Sequence, residues 1–197
     1  MIRVCILGSI GSGKTFVSKL FDCPVFNADK EVDLIYKKNK KCYQKLNKIL
    51  PRYIQSFPIS RSELIKAVLN NKKNLKKISN VVHPLVRSKL KFFIEKNKRE
   101  KIVILDIPLL IENKLNKKSD ILIFVKSRKE KILKRLKKRE NYNKKILANL
   151  RENQLMLSKK KQLANYIIDN NFTQSKMKNK IKILKERILN EGSNIRY

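Results

Sequence analysis

The chain has 197 residues, enough for one domain with a sizeable core, and its 42 % apolar and 33 % charged content excludes a disordered polymer. Its longest apolar run, "IVILDIPLLI", is broken by Asp106 and Pro108 and excludes a membrane span, while three cysteines without Cys-x-x-Cys spacing and a single histidine exclude a zinc site. The formal charge of +33 points toward nucleic acid, but 38 lysines against 11 arginines run along the whole chain beside many isoleucines and asparagines, a bias shared by residues with A/T-rich codons, so nucleic acid is not expected as a partner.

In chain order, Ile2–Leu7 is almost wholly apolar, as a strand buried on both faces would be, and leads directly into glycines rather than into a signal-peptide cleavage site. Lys14–Phe21 reads as a helix, and "PVFNAD" (Pro24–Asp29) as a short strand. From about 30 to 98 the apolar residues recur at three- and four-residue spacing, predicting an all-helical insertion. Ile102–Leu105 is a second buried strand with a turn at Pro108, and Asp120–Val125 a third. A basic helix is predicted over Arg128–Arg139 and a polar helical stretch from about Asn141 to Lys161. "NYIID" gives the last strand, and a closing helix carries Met177, Ile181, Leu184 and Ile188 on one face. Strands separated by helices predict a parallel α/β sheet. Reduced cysteines and the lack of a signal peptide place the expected location in the cytoplasm.

"ILGSIGSGKT" concentrates three of the four glycines in six positions. Gly8-x-x-x-x-Gly13-Lys14-Thr15, between a buried strand and a helix, fits a phosphate-binding loop. Without a Cβ at Gly8, Gly11 and Gly13 the backbone can turn its N–H groups, with that of Ser12, toward phosphate oxygens. Lys14 then reaches the β- and γ-phosphates of a nucleoside triphosphate, and the Thr15 hydroxyl meets Mg²⁺. The guanine-specifying Asn-Lys-x-Asp of GTPases is absent, and the length suits a small-molecule kinase.

Four further segments, "VFNAD", "SRSEL" with "HPLVR", "VILDIPLLIE" and "LRENQ…LANYIIDNN", come in the order of the dephospho-coenzyme A kinase family and resemble it across most of the chain. The resemblance implies a three-layer P-loop fold: a core of about 1–30, 99–135 and 162–190, a helical acceptor-binding region of about 30–98, and a lid of about 136–161. It implies transfer of the ATP γ-phosphoryl group to the ribose 3′-hydroxyl of dephospho-coenzyme A, supported by Mg²⁺, in a monomer or weak homo-oligomer. Asp29, at the end of the second strand, would take the acceptor's proton, or else cap the following helix. Asp106, ending the strand Ile102–Leu105, would support Mg²⁺, or else be a turn residue before Pro108. Arg61 and Arg87 would face the acceptor's pyrophosphate. His83 would sit near a helix cap with Pro84 at the first helical position, a polar contact to the acceptor being its second role. Arg135 and Arg139, four apart on the basic helix, would neutralise the transferring phosphoryl, with Arg151 and Gln154 in the same lid.

The chain departs from the family pattern at Ser9, at Asn27 (where an aspartate is usual), at Asn165 and at Phe172. Ser9 is tolerable if its backbone avoids the left-handed region. A nucleoside, nucleotide or polynucleotide kinase on the same scaffold is the alternative, and an RNA-associated ATP-binding protein a third reading.

Overall fold

The near-continuous apolar run at the N-terminus becomes strand β1 (Ile2–Gly8), buried from Arg3 onward, as a strand covered on both faces must be. The computed structural model describes residues 1–138, 142–171 and 173–193. β1 is followed by α1 (Lys14–Leu20), β2 (Val25–Asn27), α2 (Ala28–Lys38), α3 (Lys40–Ile49), α4 (Arg61–Asn70) and α5 (Lys73–Lys96). Next come β3 (Ile102–Asp106), β4 (Ile121–Lys126), α6 (Lys129–Lys137), α7 (Lys144–Glu152), α8 (Leu157–Gln162), β5 (Tyr166–Asp169) and α9 (Gln174–Ser193). The described residues pack as two compact units, one from Met1–Asn27, Lys96–Tyr142 and Asn153–Tyr197, the other from Ala28–Glu95 and Asn143–Glu152.

In the first unit the five strands form a wholly parallel sheet of order β2-β3-β1-β4-β5. Period-two alternation sorts its residues. Val4, Ile6, Ile102, Ile104, Ile123, Val125 and Ile168 share one face with Val17 and Phe21 and with Met177, Ile181 and Ile188 of α9. Leu184 packs against that cluster, so the predicted apolar face of the closing helix is the face that docks. Cys5, Leu7, Val103, Leu105, Leu122 and Phe124 point the other way and are also buried. A sheet apolar on both faces is what confines polar chemistry to the strand ends.

At the opposite end of β1 from the glycines, Arg3 Nη2 donates to Asp120 Oδ2 (3.0 Å), which also accepts from the Lys117 N–H (2.8 Å). Cys5 donates to the same carboxylate, and burial followed by the Asp120 charge raises its thiol pKa, so Cys5 stays an unreactive thiol.

The second unit is helical. α3 opens on Asn39, whose side chain accepts the Cys42 N–H (2.8 Å). α4 opens on a reciprocal capping box: Ser60 accepts the Glu63 N–H (3.2 Å), and Glu63 accepts the Ser60 N–H (3.3 Å). Part of the "SRSEL" signature is therefore a helix start. α5 runs through Pro84 without ending, contrary to the expected helix start there. The proline removes one backbone donor, but Ile78, Val82, Val86 and Leu90 continue one buried stripe on both sides of it, and that burial holds the helix together.

The predicted helical stretch over 141–161 is divided. α7 belongs to the second unit and α8 to the first, with 153–156 non-helical between them. There the Leu155 N–H donates to Glu112 Oε1 (2.8 Å) instead of to a helical carbonyl.

Candidate active site

The chemistry-bearing residues of the first unit gather where the chain leaves β1, β2 and β3 at their C-terminal ends, the edge at which open parallel sheets bind ligands. Gly8, Gly11 and Gly13 all have positive φ, at 142°, 83° and 93°. The need is sharpest at two of them. A Cβ on Gly8 would lie 2.6 Å from the Val125 carbonyl oxygen, and one on Gly13 would run into the Asn170 side-chain amide. Ser9 is not among the positive-φ residues, which besides the glycines are Asp22 and Lys114 among the described residues, so its side chain imposes no strain on the turn. Gly13 caps α1, leaving the first N–H groups of that helix at the loop.

Lys14 is buried, and its Nζ donates to the carbonyls of Gly8 (3.2 Å) and Ser9 (2.9 Å), so the ammonium is already folded over the loop. Thr15 Oγ1 donates to Asp106 Oδ2 at 2.6 Å. Asp106, the last residue of β3, is 2 % exposed. The same oxygen accepts Asn27 Nδ2 at 2.6 Å, because the register of β2 on β3 sets Asn27 opposite Asp106. In the sequence Asn27 stands out only as a departure from the family pattern. The signal that would have found it is positional: two strands that end side by side bring their last residues together. An amide there donates to the carboxylate, where a second acid would repel it. A hydroxyl and a carboxylate this close form a hard oxygen donor pair suited to Mg²⁺, which commonly takes one or two protein ligands and fills the rest with phosphate and water. Among the described residues no group of three or more His, Cys, Asp or Glu side chains could hold a metal without such help.

Arg135 lies on α6, half-buried. Its Nη1 donates to the Ser12 carbonyl (3.2 Å) and to Ser127 Oγ (3.1 Å), and more weakly to the Gly11 carbonyl (3.4 Å). It braces the phosphate loop from its carbonyl side. Arg139, its expected partner one turn on, lies outside the described residues, as does Phe172.

In the second unit, Asp29 is found in the first turn of α2, not at the end of a strand, because β2 stops at Asn27. Its side chain is exposed. Asp33, one turn further along, pairs with Arg61, whose Nη2 donates to both carboxylate oxygens at 2.7 and 2.6 Å. Those hydrogen bonds and the Asp33 charge raise the Arg61 pKa, with the Asp29 charge adding to them. Asp29, Asp33 and Arg61 thus form one charged group.

His83 is half-buried inside α5, with the exposed Arg87 one turn beyond. Burial first, then the Arg87 charge, lowers the imidazole pKa below its ordinary 6.5. A base whose folded pKa is depressed contributes stability above its unfolded value and loses it as pH falls through the folded one. The Tm should therefore drop on acidification from pH 8 to below 6.5, and His83→Gln should flatten that part of the profile. A calorimetric pH series on both proteins checks this, and equal slopes would dismiss His83 as the cause. Arg151 lies in the last turn of α7 and is exposed, and Gln154 lies in the break between α7 and α8.

A glycine loop closed by a lysine and a threonine at the head of α1, and an acid on the neighbouring strand end, define a P-loop kinase fold on a parallel sheet. The dephospho-CoA kinase family model matches residues 2–176. The dephospho-CoA kinase of Wolbachia pipientis is 32 % identical over 184 residues, covering 91 % of this chain and 94 % of that protein. That of Prochlorococcus marinus is 33 % identical over 195 residues, covering 92 % and 94 %. Among solved structures, dephospho-CoA kinase from Campylobacter jejuni superposes with a TM-score of 0.66 over 96 % of this chain and 98 % of its own, at 22 % identity, and shares the fold. The chain belongs to the dephospho-CoA kinase family.

Proposed function

We propose that this chain transfers the γ-phosphoryl group of ATP to the ribose 3′-hydroxyl of dephospho-coenzyme A, giving coenzyme A and ADP. The observation that carries the proposal is the family match over residues 2–176. The Thr15–Asp106–Asn27 junction beside the glycine loop supports it. The acceptor oxygen forms a bond to the γ-phosphorus as the bond to the β,γ-bridging oxygen breaks, and the hydroxyl proton passes to Asp29. Loop N–H groups from Gly8 to Thr15 hold the phosphates. Lys14 exchanges its loop carbonyls for β- and γ-oxygens, so its charge is in place before ATP arrives. Thr15 and Asp106 are the residues that would hold Mg²⁺, which supplies charge neutralisation on the phosphates when bound.

Arg135 and Arg139 add positive charge toward the transferring group, Arg135 through the loop it braces. Arg61 and Arg87 take the acceptor's pyrophosphate. For Arg61 this means exchanging Asp33 for phosphate, an easy exchange because the pair is exposed and exposed ion pairs are weak. His83 shapes α5 and offers a polar contact to the acceptor. Residues 30–98 serve acceptor binding and 136–161 serve as a lid. The protein acts in the cytoplasm as a monomer or weak oligomer, and no helix among the described residues is long and apolar enough to cross a membrane.

The test is a coupled ADP-release assay with Mg·ATP and dephospho-coenzyme A, run beside nucleosides, short RNA and no acceptor. Turnover is expected with dephospho-coenzyme A alone, with coenzyme A identified by mass. Turnover on nucleosides or RNA instead would overturn the acceptor.

A further inference from the structure

The glycine loop is held from behind by a residue outside its own sequence. Asn170 follows β5 and is 2 % exposed. Its Nδ2 donates to the Ser12 carbonyl at 2.8 Å. Its own backbone is held on both sides, the N–H donating to the Lys126 carbonyl (2.7 Å) and the carbonyl accepting Arg135 Nη2 and Ser127 Oγ (3.4 Å each). Gly13 lies against the same amide, close enough that no side chain fits there. The Ser12 carbonyl thus takes two donors, the Asn170 amide and the Arg135 guanidinium.

A trans peptide points its C=O and the next N–H in opposite directions. Fixing the Ser12 carbonyl therefore fixes the Gly13 N–H on the opposite side of the loop. Two donors on one carbonyl also polarise that peptide and strengthen the N–H as a donor. An amide does this without carrying charge.

We infer that Asn170 is a positioning residue for triphosphate binding, one that orients the Ser12–Gly13 peptide from the carbonyl side without touching the nucleotide phosphates. The inference rests on the reading of Gly8–Thr15 as the triphosphate site. Asn170→Ala leaves the Ser12 carbonyl with one donor fewer. Asn170→Asp keeps the shape but turns a carboxylate oxygen toward a carbonyl oxygen, beside the place where phosphate charge collects, so it should be worse than alanine. A residue that merely filled space would show the reverse order, since aspartate is the closer match in volume.

The experiment measures the affinities of ATP, ADP and adenosine by calorimetry for wild type, Asn170→Ala, Asn170→Asp and Lys14→Ala, with Tm and the KM for dephospho-coenzyme A in parallel. Within each variant the ratio of ATP to adenosine affinity is independent of the fraction folded. For Asn170→Ala that ratio should fall about three- to tenfold, the worth of one net hydrogen bond. It should fall further for Asn170→Asp, with the dephospho-coenzyme A KM unchanged in both. An unchanged ratio in both variants, a milder effect for aspartate than for alanine, or equal losses for ATP and adenosine would each overturn the inference. Lys14→Ala separates the two layers: loss of ATP affinity keeps the loop as the triphosphate site whatever Asn170 does. Retained affinity would refute the loop reading and take this inference with it.

Discussion

Asp29→Asn is expected to lower kcat with dephospho-coenzyme A by about 10²- to 10⁴-fold, the usual contribution of a positioned general base, while leaving the KM for the acceptor and the Tm nearly unchanged. Asparagine is isosteric and still accepts a hydrogen bond from the acceptor hydroxyl, but it cannot take the proton as the oxygen–phosphorus bond forms. Asp29 is exposed in the first turn of α2, a place where a carboxylate also favours the helix dipole. That contribution is about 0.3–1 kcal/mol and concerns stability alone. The two roles therefore separate cleanly. A residue that served only the helix dipole would lose a little Tm and keep its turnover, whereas a base loses turnover far beyond what that small change in stability explains. The Asp29 charge also raises the Arg61 pKa, so a small change in acceptor KM transmitted through Arg61 is the largest secondary effect expected. Steady-state kinetics with thermal melts on the same samples decide it, and a kcat within threefold of wild type would remove Asp29 from catalysis.

What was legible in the sequence was local. The loop declared itself because glycines, lysine and threonine at fixed spacing sit between an apolar run and a helical one, and the structure keeps them so. Asp106 was legible because it ends a continuous apolar stretch, which makes it the last residue of a buried strand. Asn27 and Asn170 were not, because their partners lie far along the chain: Asn27 meets Asp106 through strand register, and Asn170 meets Ser12 through the fold of the whole sheet. Pro84 suggests a helix start because proline is most often tolerated there. What outweighed its lost hydrogen bond was a buried stripe spanning both sides, visible only when the flanking periodicities are joined into one helix. The four-residue spacing that puts Arg135 on one face with Arg139 gives no hint that Arg135's donors reach the loop carbonyls.

The largest expected loss of stability comes from a residue that the sequence singled out only as part of a signature. Glu112 ends "PLLIE", and its Oε1 lies 2.7 Å from Lys160 Nζ, with side-chain exposures of 14 % and 1 %. Lys160 also donates to the Pro108 carbonyl (3.4 Å), and Glu112 Oε1 accepts the Leu155 N–H. One carboxylate thus anchors the chain entering α8 and balances an ammonium that has almost no access to water. Glu112→Ala strands that ammonium, and removing one partner of a buried pair costs about 3–5 kcal/mol. The variant should show a large fall in the urea midpoint at unchanged slope. Lys160→Met should cost less, because the remaining carboxylate keeps the Leu155 N–H as a donor. The double variant Glu112→Gln with Lys160→Met should recover most of the loss, since an uncharged amide can still accept from Leu155 and no charge is left buried. Those three midpoints form the test. If Glu112→Ala loses no more than Lys160→Met alone, the pair is not what holds α8 in place. If the double variant is as unstable as Glu112→Ala, the cost lies in lost packing and not in a stranded charge.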